Sequence, residues 1–237
     1  MQIIHSTSNS PSFNLAAEEF LFNCRTDDLL LLYVNKPSVI VGSNQVVQNE
    51  VDVEFCRENT VEILRRMSGG GAVYHDLGNL NYCFITNRVE GKSVLNADFL
   101  QPIIDILHTL NVPVTIGVRK DLWLPGGFKI SGTASHVSKS RELHHGTLLI
   151  DTNLDYLHKA LSPKNNNLFI KGTASVPSKV KNINAFLQES ASAFIIPDFL
   201  RETELYFKST IQNPDHVEEI QQLAENKYKS EEWNFKK

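Results

Sequence analysis

The 237-residue chain has few cysteines and no apolar run long enough to cross a membrane. Only Cys24, Cys56 and Cys83 are present, so we expect no disulfide framework, and a reducing cytoplasm is the simplest location. A membrane helix needs about 18 consecutive apolar residues, and residues 1–6 lack the charged and apolar regions of a signal peptide. These absences predict a single domain over residues 1–237 that does not associate with a membrane.

The chain also lacks an excess of positive charge and the common metal and nucleotide motifs. Its net charge is −4, whereas domains that bind nucleic acid usually carry a basic face, so we expect no nucleic-acid partner. The cysteines and histidines show neither Cys-x-x-Cys nor His-Glu-x-x-His spacing, so no tightly bound prosthetic group is expected. The P-loop and dinucleotide glycine spacings are absent too, so any nucleotide must bind in another way.

A glycine-rich loop within residues 65–76 is the most informative segment, and it reads RRMSGGGAVYHD. Two arginines lead into Gly69, Gly70 and Gly71. Glycine has no Cβ, so peptide N–H groups can approach a ligand closely, and guanidinium groups pair well with phosphate or carboxylate. Three glycines are equally compatible with an ordinary tight turn. The loop alone therefore leaves anion binding and a plain turn both open.

A lysine on a short strand is the second indication. Residues 126–134 read GGFKISGTA, which predicts a strand bounded by glycine turns. Alternation along the strand puts Phe128 and Ile130 on one face and Lys129 on the other. Most lysines are simply solvated, but the position of Lys129 between two glycine turns makes it a candidate catalytic cation.

Four further polar residues accompany these motifs. His144 and His145 are adjacent in a predicted strand and so point to opposite faces; a role in the core or at the rim is favoured over direct participation. His75 and Asp76 either orient the loop or approach the site, and a turn-stabilising aspartate fits equally well.

Taken in order, these segments are similar to the lipoate–protein ligase A family. The segments that carry the resemblance are residues 13–19, 65–82, 129–132, 144–149, 171–183 and 232–235. Several motifs in the same order are far more specific than any one of them. The resemblance implies an α+β fold of the biotin/lipoate ligase type, with mixed β-sheets and flanking helices.

The resemblance implies an enzyme, an ATP-dependent lipoate–protein ligase. Such a ligase converts lipoate and MgATP into lipoyl-AMP and transfers the lipoyl group to a lysine of an acceptor domain. The acceptors would be E2 subunits of 2-oxoacid dehydrogenase complexes or the glycine cleavage H protein. ATP with Mg²⁺ and lipoate are then substrates, and the nucleophile of the second step comes from the partner protein.

The same resemblance implies roles for individual residues. Lys129 would contact both the lipoate carboxyl group and the α-phosphate, and Arg66 would pair with phosphate. The residues implied in ATP binding are Arg66, Gly71, Ala72, Val73, Tyr74 and Lys129. Those implied in lipoate binding are Lys129, Gly69, Gly70 and His145, and Asp121 is the implied metal ligand. Residues 41–42 and 82–85 are candidates for the wall of the lipoyl slot.

The chain departs from the family at two places. Arg119, Lys120 and Asp121 stand where ligases usually have Arg-Asn-Asp, and the chain stops soon after residues 233–235, where many ligases continue into a C-terminal accessory domain. Two alternatives to a self-sufficient ligase therefore stay open. One is a lipoyl or octanoyl transferase that uses preformed lipoyl-AMP or an acylated protein. The other is a catalytic subunit that needs an accessory protein for adenylation.

Two observations bear on further alternatives. Residues 118–128 contain no cysteine, which counts against a transferase with a cysteine nucleophile in that region. A protein that only binds lipoate or the adenylate is the least favoured reading because Lys129 is retained.

Periodicity gives the expected elements of secondary structure. Helices are expected at residues 13–24, 99–110 and 217–224. Strands are expected at residues 29–34, 39–41, 61–65, 72–74, 82–86, 114–116, 128–131 and 145–150.

Overall fold

The computed structural model describes residues 1–89, 97–164, 172–188 and 193–236. Its strands are β1 (Gln2–Ser6), β2 (Leu29–Val34), β3 (Ser38–Val41), β4 (Glu62–Arg65), β5 (Val73–His75), β6 (Asn79–Asn87), β7 (Thr115–Ile116), β8 (Leu122–Leu124), β9 (Phe128–Ser131), β10 (Thr133–Val137), β11 (Arg141–Leu149) and β12 (Ile211–Gln212). Its α-helices are α1 (Pro11–Cys24), α2 (Val47–Glu50), α3 (Val53–Glu58), α4 (Gln101–Thr109), α5 (Leu154–Ala160), α6 (Ile183–Leu187), α7 (Ile196–Phe207), α8 (Val217–Leu223) and α9 (Glu231–Asn234).

A mixed sheet with the strand order β10-β11-β6-β2-β1-β12 forms the centre of the described fold. Strand β2 reads LLLLYV and is buried along most of its length, which is typical of a strand covered on both faces. Successive side chains point to opposite faces. Leu30 and Leu32 accordingly pack in one hydrophobic cluster with α4 and α7 residues, whereas Leu29 and Leu31 pack in another with α1.

Two smaller sheets lie beside this centre and supply most of the predicted site, to which β11 of the central sheet adds His145. One has the order β4-β3-β5, so the glycine-rich loop connects its two outer strands. The other has the order β7-β8-β9 and carries Lys129 on β9. The backbone of Lys129 also bonds with the later segment: its N–H donates to Lys179 O at 2.8 Å, and its carbonyl accepts from Lys181 N–H at 3.3 Å.

The α+β class is confirmed, and each expected helix and strand has a counterpart, with some differences at the ends. Four strands, β1, β8, β10 and β12, were not predicted, and neither were helices α2, α3, α5, α6, α7 and α9. Strand β1 has only two consecutive apolar residues, Ile3 and Ile4, and β10 reads TASHV and is half-buried throughout, so neither has the alternation that identifies a strand. Among the described residues, every helix is too short or too polar to span a bilayer.

Candidate active site

A cavity of about 310 Å³ opens between the glycine-rich loop, strands β9 to β11 and the segment around Ser175. The predicted site residues that line it are Arg66, Gly70, Gly71, Ala72, Val73, Asp121, Lys129 and His145. Two others lie outside the lining: Tyr74 is buried in a separate cluster with Val39 and Val41, and Gly69 is on the loop beside the lining. Residues 41–42 and 82–85 do not line the cavity either, whereas Ile40 and Asn81 do.

The Arg66 guanidinium holds the glycine-rich loop in shape. Its Nη2 donates to the carbonyls of Gly69 at 2.6 Å and Gly71 at 2.8 Å. Its Nη1 donates to Ile40 O at 3.0 Å, and its Nε donates to Ser68 Oγ at 3.0 Å. Burial lowers the pKa of Arg66 to about 10, which leaves the group charged at neutral pH. Its predicted pairing with phosphate stays a prediction, because most of its donors already serve the loop.

Close packing fixes the opposite side of this loop. Gly70 has a φ of +89°, which glycine adopts without strain. The Gly70 carbonyl lies so close to Gly42 that a Cβ at Gly42 would overlap it. Ser175 completes the arrangement, because its Oγ accepts from Ala72 N–H at 2.9 Å and from Gln45 Nε2 at 3.1 Å. Lys171 belongs, like Ser175, to the segment of residues 171–183 that carries part of the family resemblance, and it lies outside the described residues.

The Lys129 ammonium lies at the cavity wall, 3.2 Å from Asp121 Oδ2. Burial opposes ionisation of Asp121, but the Trp123 hydrogen bond and the Lys129 charge outweigh it and lower the pKa of this carboxyl group. Arg119 is a second cation, 3.9 Å from the same oxygen. Asp121 therefore holds Lys129 in place, and its predicted role as a metal ligand stays a prediction.

A buried chain of hydrogen bonds extends from the cavity into the core. His145 Nδ1 lies 2.8 Å from Glu18 Oε2, and its Nε2 lies 2.7 Å from Ser68 Oγ. Tyr33 donates its hydroxyl proton to Glu18 Oε1 at 2.9 Å. The chain thus joins α1, β2, β11 and the glycine-rich loop, and Glu18, Tyr33 and Ser68 were given no role by the sequence.

His75 contributes an unpaired donor to the cavity lining. Asn35 Nδ2 lies 3.0 Å from His75 Nδ1, whereas the buried Nε2 has no hydrogen-bond partner among the described residues. Burial, and secondarily the charges of Arg66 and His145, lower the pKa of His75 to about 3. Because Nδ1 can only accept from the Asn35 amide, the neutral ring carries its proton on Nε2.

The two adjacent histidines point to opposite faces of β11, as the sequence predicted. His145 faces the cavity and α1. His144 stacks on Phe99 with ring centroids 4.4 Å apart, and its nitrogens lie 2.8 Å from Ser135 Oγ and 3.0 Å from Glu142 Oε2. His144 is thus a packing residue, and His145 is the one of the pair at the site.

The arrangement combines two kinds of surface in one cavity. The lysine and the glycine-rich loop can receive an anion, and the same lining includes apolar side chains such as Leu15 and Ile40. Apolar pockets with a small number of placed polar groups are typical of small-molecule sites. The cavity can therefore hold an extended molecule that has an acidic end and an apolar tail.

Sequence comparisons match the part of the chain that contains all the cavity residues. The family model described as the lipoyl protein ligase A/B catalytic domain matches residues 10–203. The chain is 37% identical over 237 residues to the lipoate-protein ligase LplJ of Bacillus subtilis, covering 96% of this chain and 71% of that protein. It is 36% identical over 242 residues to lipoate–protein ligase 1 of Staphylococcus aureus, covering 98% and 72%.

Solved structures with similar folds belong to lipoylation systems. One chain comes from a study of a bi-partite lipoate protein ligase and its E2 lipoyl domain from Thermoplasma acidophilum. It has a TM-score of 0.79 and 25% identity, with 99% of this chain and 96% of that chain covered. Another is LipL1 of P. falciparum in complex with lipoate, with a TM-score of 0.80 and 26% identity, covering 100% and 74%.

Proposed function

The chain belongs to the lipoyl protein ligase A/B catalytic-domain family, and from this premise we propose the following reaction and site. The protein is a lipoate–protein ligase that activates lipoate with MgATP to lipoyl-AMP and passes the lipoyl group to a lysine of an acceptor domain. The observation that carries this assignment is the position of Lys129, whose ammonium lies 3.2 Å from Asp121 in a cavity that is also lined by the glycine-rich loop and by apolar side chains such as Leu15 and Ile40.

In the proposed first step, the lipoate carboxylate attacks the α-phosphorus of ATP and pyrophosphate leaves. Negative charge is concentrated where carboxylate and α-phosphate meet, so a fixed cation at that point lowers the barrier. Lys129 supplies this cation, and its ion pair with Asp121 sets its position before substrates bind. Mg²⁺ enters with ATP and is held largely by the phosphates.

The glycine-rich loop is the proposed binding element for ATP. Arg66 keeps the loop open towards the cavity through the carbonyls of Gly69 and Gly71. The loop can then offer backbone groups of Gly71, Ala72 and Val73 to the nucleotide, and Arg66 adds positive charge beneath them. Tyr74 would contribute through its backbone, because its side chain is buried elsewhere.

The apolar side of the cavity is the proposed slot for the lipoyl tail. Leu15 and Ile40 supply apolar wall, and His145 and His75 place polar groups along it. The Nε2–H of His75 is a donor that a ligand atom could satisfy, because burying such a group unpaired is costly. Gly69 and Gly70 lie next to this slot on the loop.

In the proposed second step, the acceptor lysine attacks the acyl carbon of lipoyl-AMP, forms an amide and releases AMP. The acceptors are lipoyl domains of E2 subunits or the glycine cleavage H protein, and the reaction is proposed to take place in the cytoplasm. Dependence on a separate adenylation subunit is the second candidate arrangement. This second arrangement is supported by the likeness to a chain from the archaeal bi-partite lipoate protein ligase system, because our chain covers 96% of that chain.

The deciding experiment is lipoate-dependent release of pyrophosphate from MgATP by the purified chain. Octanoate and biotin serve as comparison substrates, and an apo lipoyl domain is added in a second stage. Pyrophosphate release followed by modification of the acceptor would support the complete ligase. Transfer from supplied lipoyl-AMP without pyrophosphate release would instead assign adenylation to another polypeptide or domain, and failure of both steps would contradict the proposal.

A further inference from the structure

Three metal-ligating side chains converge beneath the cavity, and the proposed reaction does not require them to bind a metal. They are Glu18 on α1, Cys83 on β6 and His145 on β11, and one donor atom from each lies within 4.8 Å of the other two. Cys83 and His145 are direct cross-strand partners, and Glu18 approaches the same face from α1. The three residues are 1%, 0% and 8% exposed.

The positions of these donors are set by strand pairing and by hydrogen bonds. The paired strands β6 and β11 fix Cys83 and His145. Glu18 is held by the Tyr33 hydroxyl at 2.9 Å, and His145 is oriented by Ser68 at 2.7 Å through its other ring nitrogen. A hydrogen-bond partner on the distal nitrogen is the usual way in which a metal-binding histidine is oriented.

The chemistry of the donor set favours a thiophilic divalent cation. Sulfur and imidazole nitrogen suit Zn²⁺, whereas Mg²⁺ prefers oxygen ligands and keeps several waters. A thiolate and a carboxylate together neutralise a charge of +2, so the complex would be neutral, and a neutral complex is far less costly to bury than a net charge. Bond lengths of about 2.0–2.3 Å bring the ligand atoms of one Zn²⁺ to roughly 3–4 Å apart. Small side-chain movements would therefore bring the three donor atoms close enough to bind one metal ion.

We propose that Glu18, Cys83 and His145 form a binding site for Zn²⁺ or a similar thiophilic divalent cation, with an open coordination position towards the cavity. On binding, the Cys83 thiol loses its proton to solvent and its sulfur bonds to the metal. The neutral His145 ring binds through Nδ1 and carries its proton on Nε2, where Ser68 Oγ accepts it. Each metal ion bound therefore releases one proton.

Occupation of this site would oppose lipoate binding, a consequence that rests on the proposed function. His145 lines the cavity and would turn from its hydrogen bond with Glu18 to the metal. A further ligand, bound to the metal at its open coordination position, would then occupy part of the space proposed for the lipoyl tail. The site thus offers a way for zinc to inhibit an enzyme that works with Mg²⁺.

The test uses Co²⁺ as a spectroscopic substitute for Zn²⁺ on the purified full chain, with excess Mg²⁺ present and no lipoate. We expect one equivalent of Co²⁺ to produce a thiolate-to-cobalt charge-transfer band, and Zn²⁺ to abolish it. The Cys83→Ser variant should lose the band. Cys24→Ser and Cys56→Ser are matched controls that should keep it, because neither cysteine belongs to the cluster.

Absence of the band in the unmodified chain, or its survival in Cys83→Ser, would overturn the proposal. If circular dichroism shows that Cys83→Ser does not fold, Glu18→Gln takes its place, because it keeps the size of the side chain and removes the anion. Co²⁺ should then bind about 10-fold more weakly or worse; unchanged affinity would overturn the proposal. These readouts do not depend on ligase activity, so they stand apart from the test of the proposed function.

Discussion

The Lys129 ammonium and the Asp121 carboxylate lie 3.2 Å apart at the wall of the cavity. Asp121 is almost fully buried, whereas the Lys129 side chain is 20% exposed, so the pair has a fixed anion and a cation that reaches the open space. Trp123 also donates to Asp121 and helps to fix it. The pair therefore positions a charge in advance of substrate, which is the arrangement that electrostatic catalysis requires.

Replacing Lys129 with methionine should remove this charge with little loss of side-chain volume. We expect the rate of lipoate-dependent pyrophosphate release to fall by about 100-fold to 1,000-fold or more. Lys181→Met is the control. The Lys181 ammonium makes cation–π contacts with Phe128 and Phe186, with Nζ 5.5 and 5.6 Å from the two ring centroids, and Lys181 is not part of the cavity lining. Equal rates in the Lys129 variant and the unmodified chain would contradict the assignment.

Arg66→Lys tests whether Arg66 acts through its shape or through its charge. Lysine keeps the cation but cannot bond Ile40, Ser68 and both glycine carbonyls together. We expect the free energy of unfolding to fall by about 1–3 kcal/mol, since buried acceptors lose their donors, and the KM for ATP to rise. Unchanged stability in urea unfolding, with an unchanged KM, would show that the loop does not need this clamp.

Gly42→Ala should disturb the glycine-rich loop from outside the cavity. The added Cβ would overlap the Gly70 carbonyl, which is backbone and cannot rotate away. We expect a loss of roughly 1–3 kcal/mol of stability, as for other overpacked sites. Gly69→Ala is the stability control, because a Cβ there meets no atom within 4 Å. Similar thermal unfolding midpoints for the two variants would refute the packing argument.

Lys120 occupies a left-handed backbone conformation, with a φ of +58°. Asparagine tolerates this conformation better than lysine, which gives a physical reason for the asparagine usually found at this place in the resembling ligases. Lys120→Asn should therefore stabilise the fold by up to about 1 kcal/mol. Lys179→Asn is the control, because Lys179 does not have a positive φ; chemical denaturation of both variants measures the difference.

Acid should destabilise the fold partly through His75. Its pKa is lowered to about 3 by burial, below the usual value near 6.5 in an unfolded chain. Between these values the unfolded state binds more protons, so the free energy of unfolding falls as the pH drops below about 6.5. His75→Gln should show a smaller loss of stability between about pH 8 and about pH 5 in urea unfolding. An identical loss in both proteins would mean that His75 does not contribute.

Part of the secondary structure was predictable because it depends on short-range patterns. The apolar run of β2 and the alternation around Lys129 predicted strands, and α4 was predicted from residues at helical spacing. Four strands and six of the nine described α-helices escaped prediction. Among them are the short, weakly patterned strands β1 and β10. Their place in the sheet depends on pairing with β2, β11 and β12, which are defined by long-range contacts.

The sequence by itself determined which chemical groups are present and which are neighbours along the chain. The glycine-rich loop with its preceding arginines, the placement of Lys129 on the strand face opposite Phe128, and the opposite directions of His144 and His145 all follow from local order and a repeat of two residues. The resemblance to a family added expected roles for these groups. None of these inferences required knowledge of contacts between distant segments.

Only the tertiary structure decided which distant groups meet. Ser175 lies 103 residues from Ala72 along the chain and accepts its N–H, and Glu18 lies 127 residues from His145 and binds its ring. Arg66 is 5% exposed and bonds the loop carbonyls, because a buried guanidinium without acceptors would be costly. Such pairings arise from the packing of whole sheets and helices, and no local pattern encodes them.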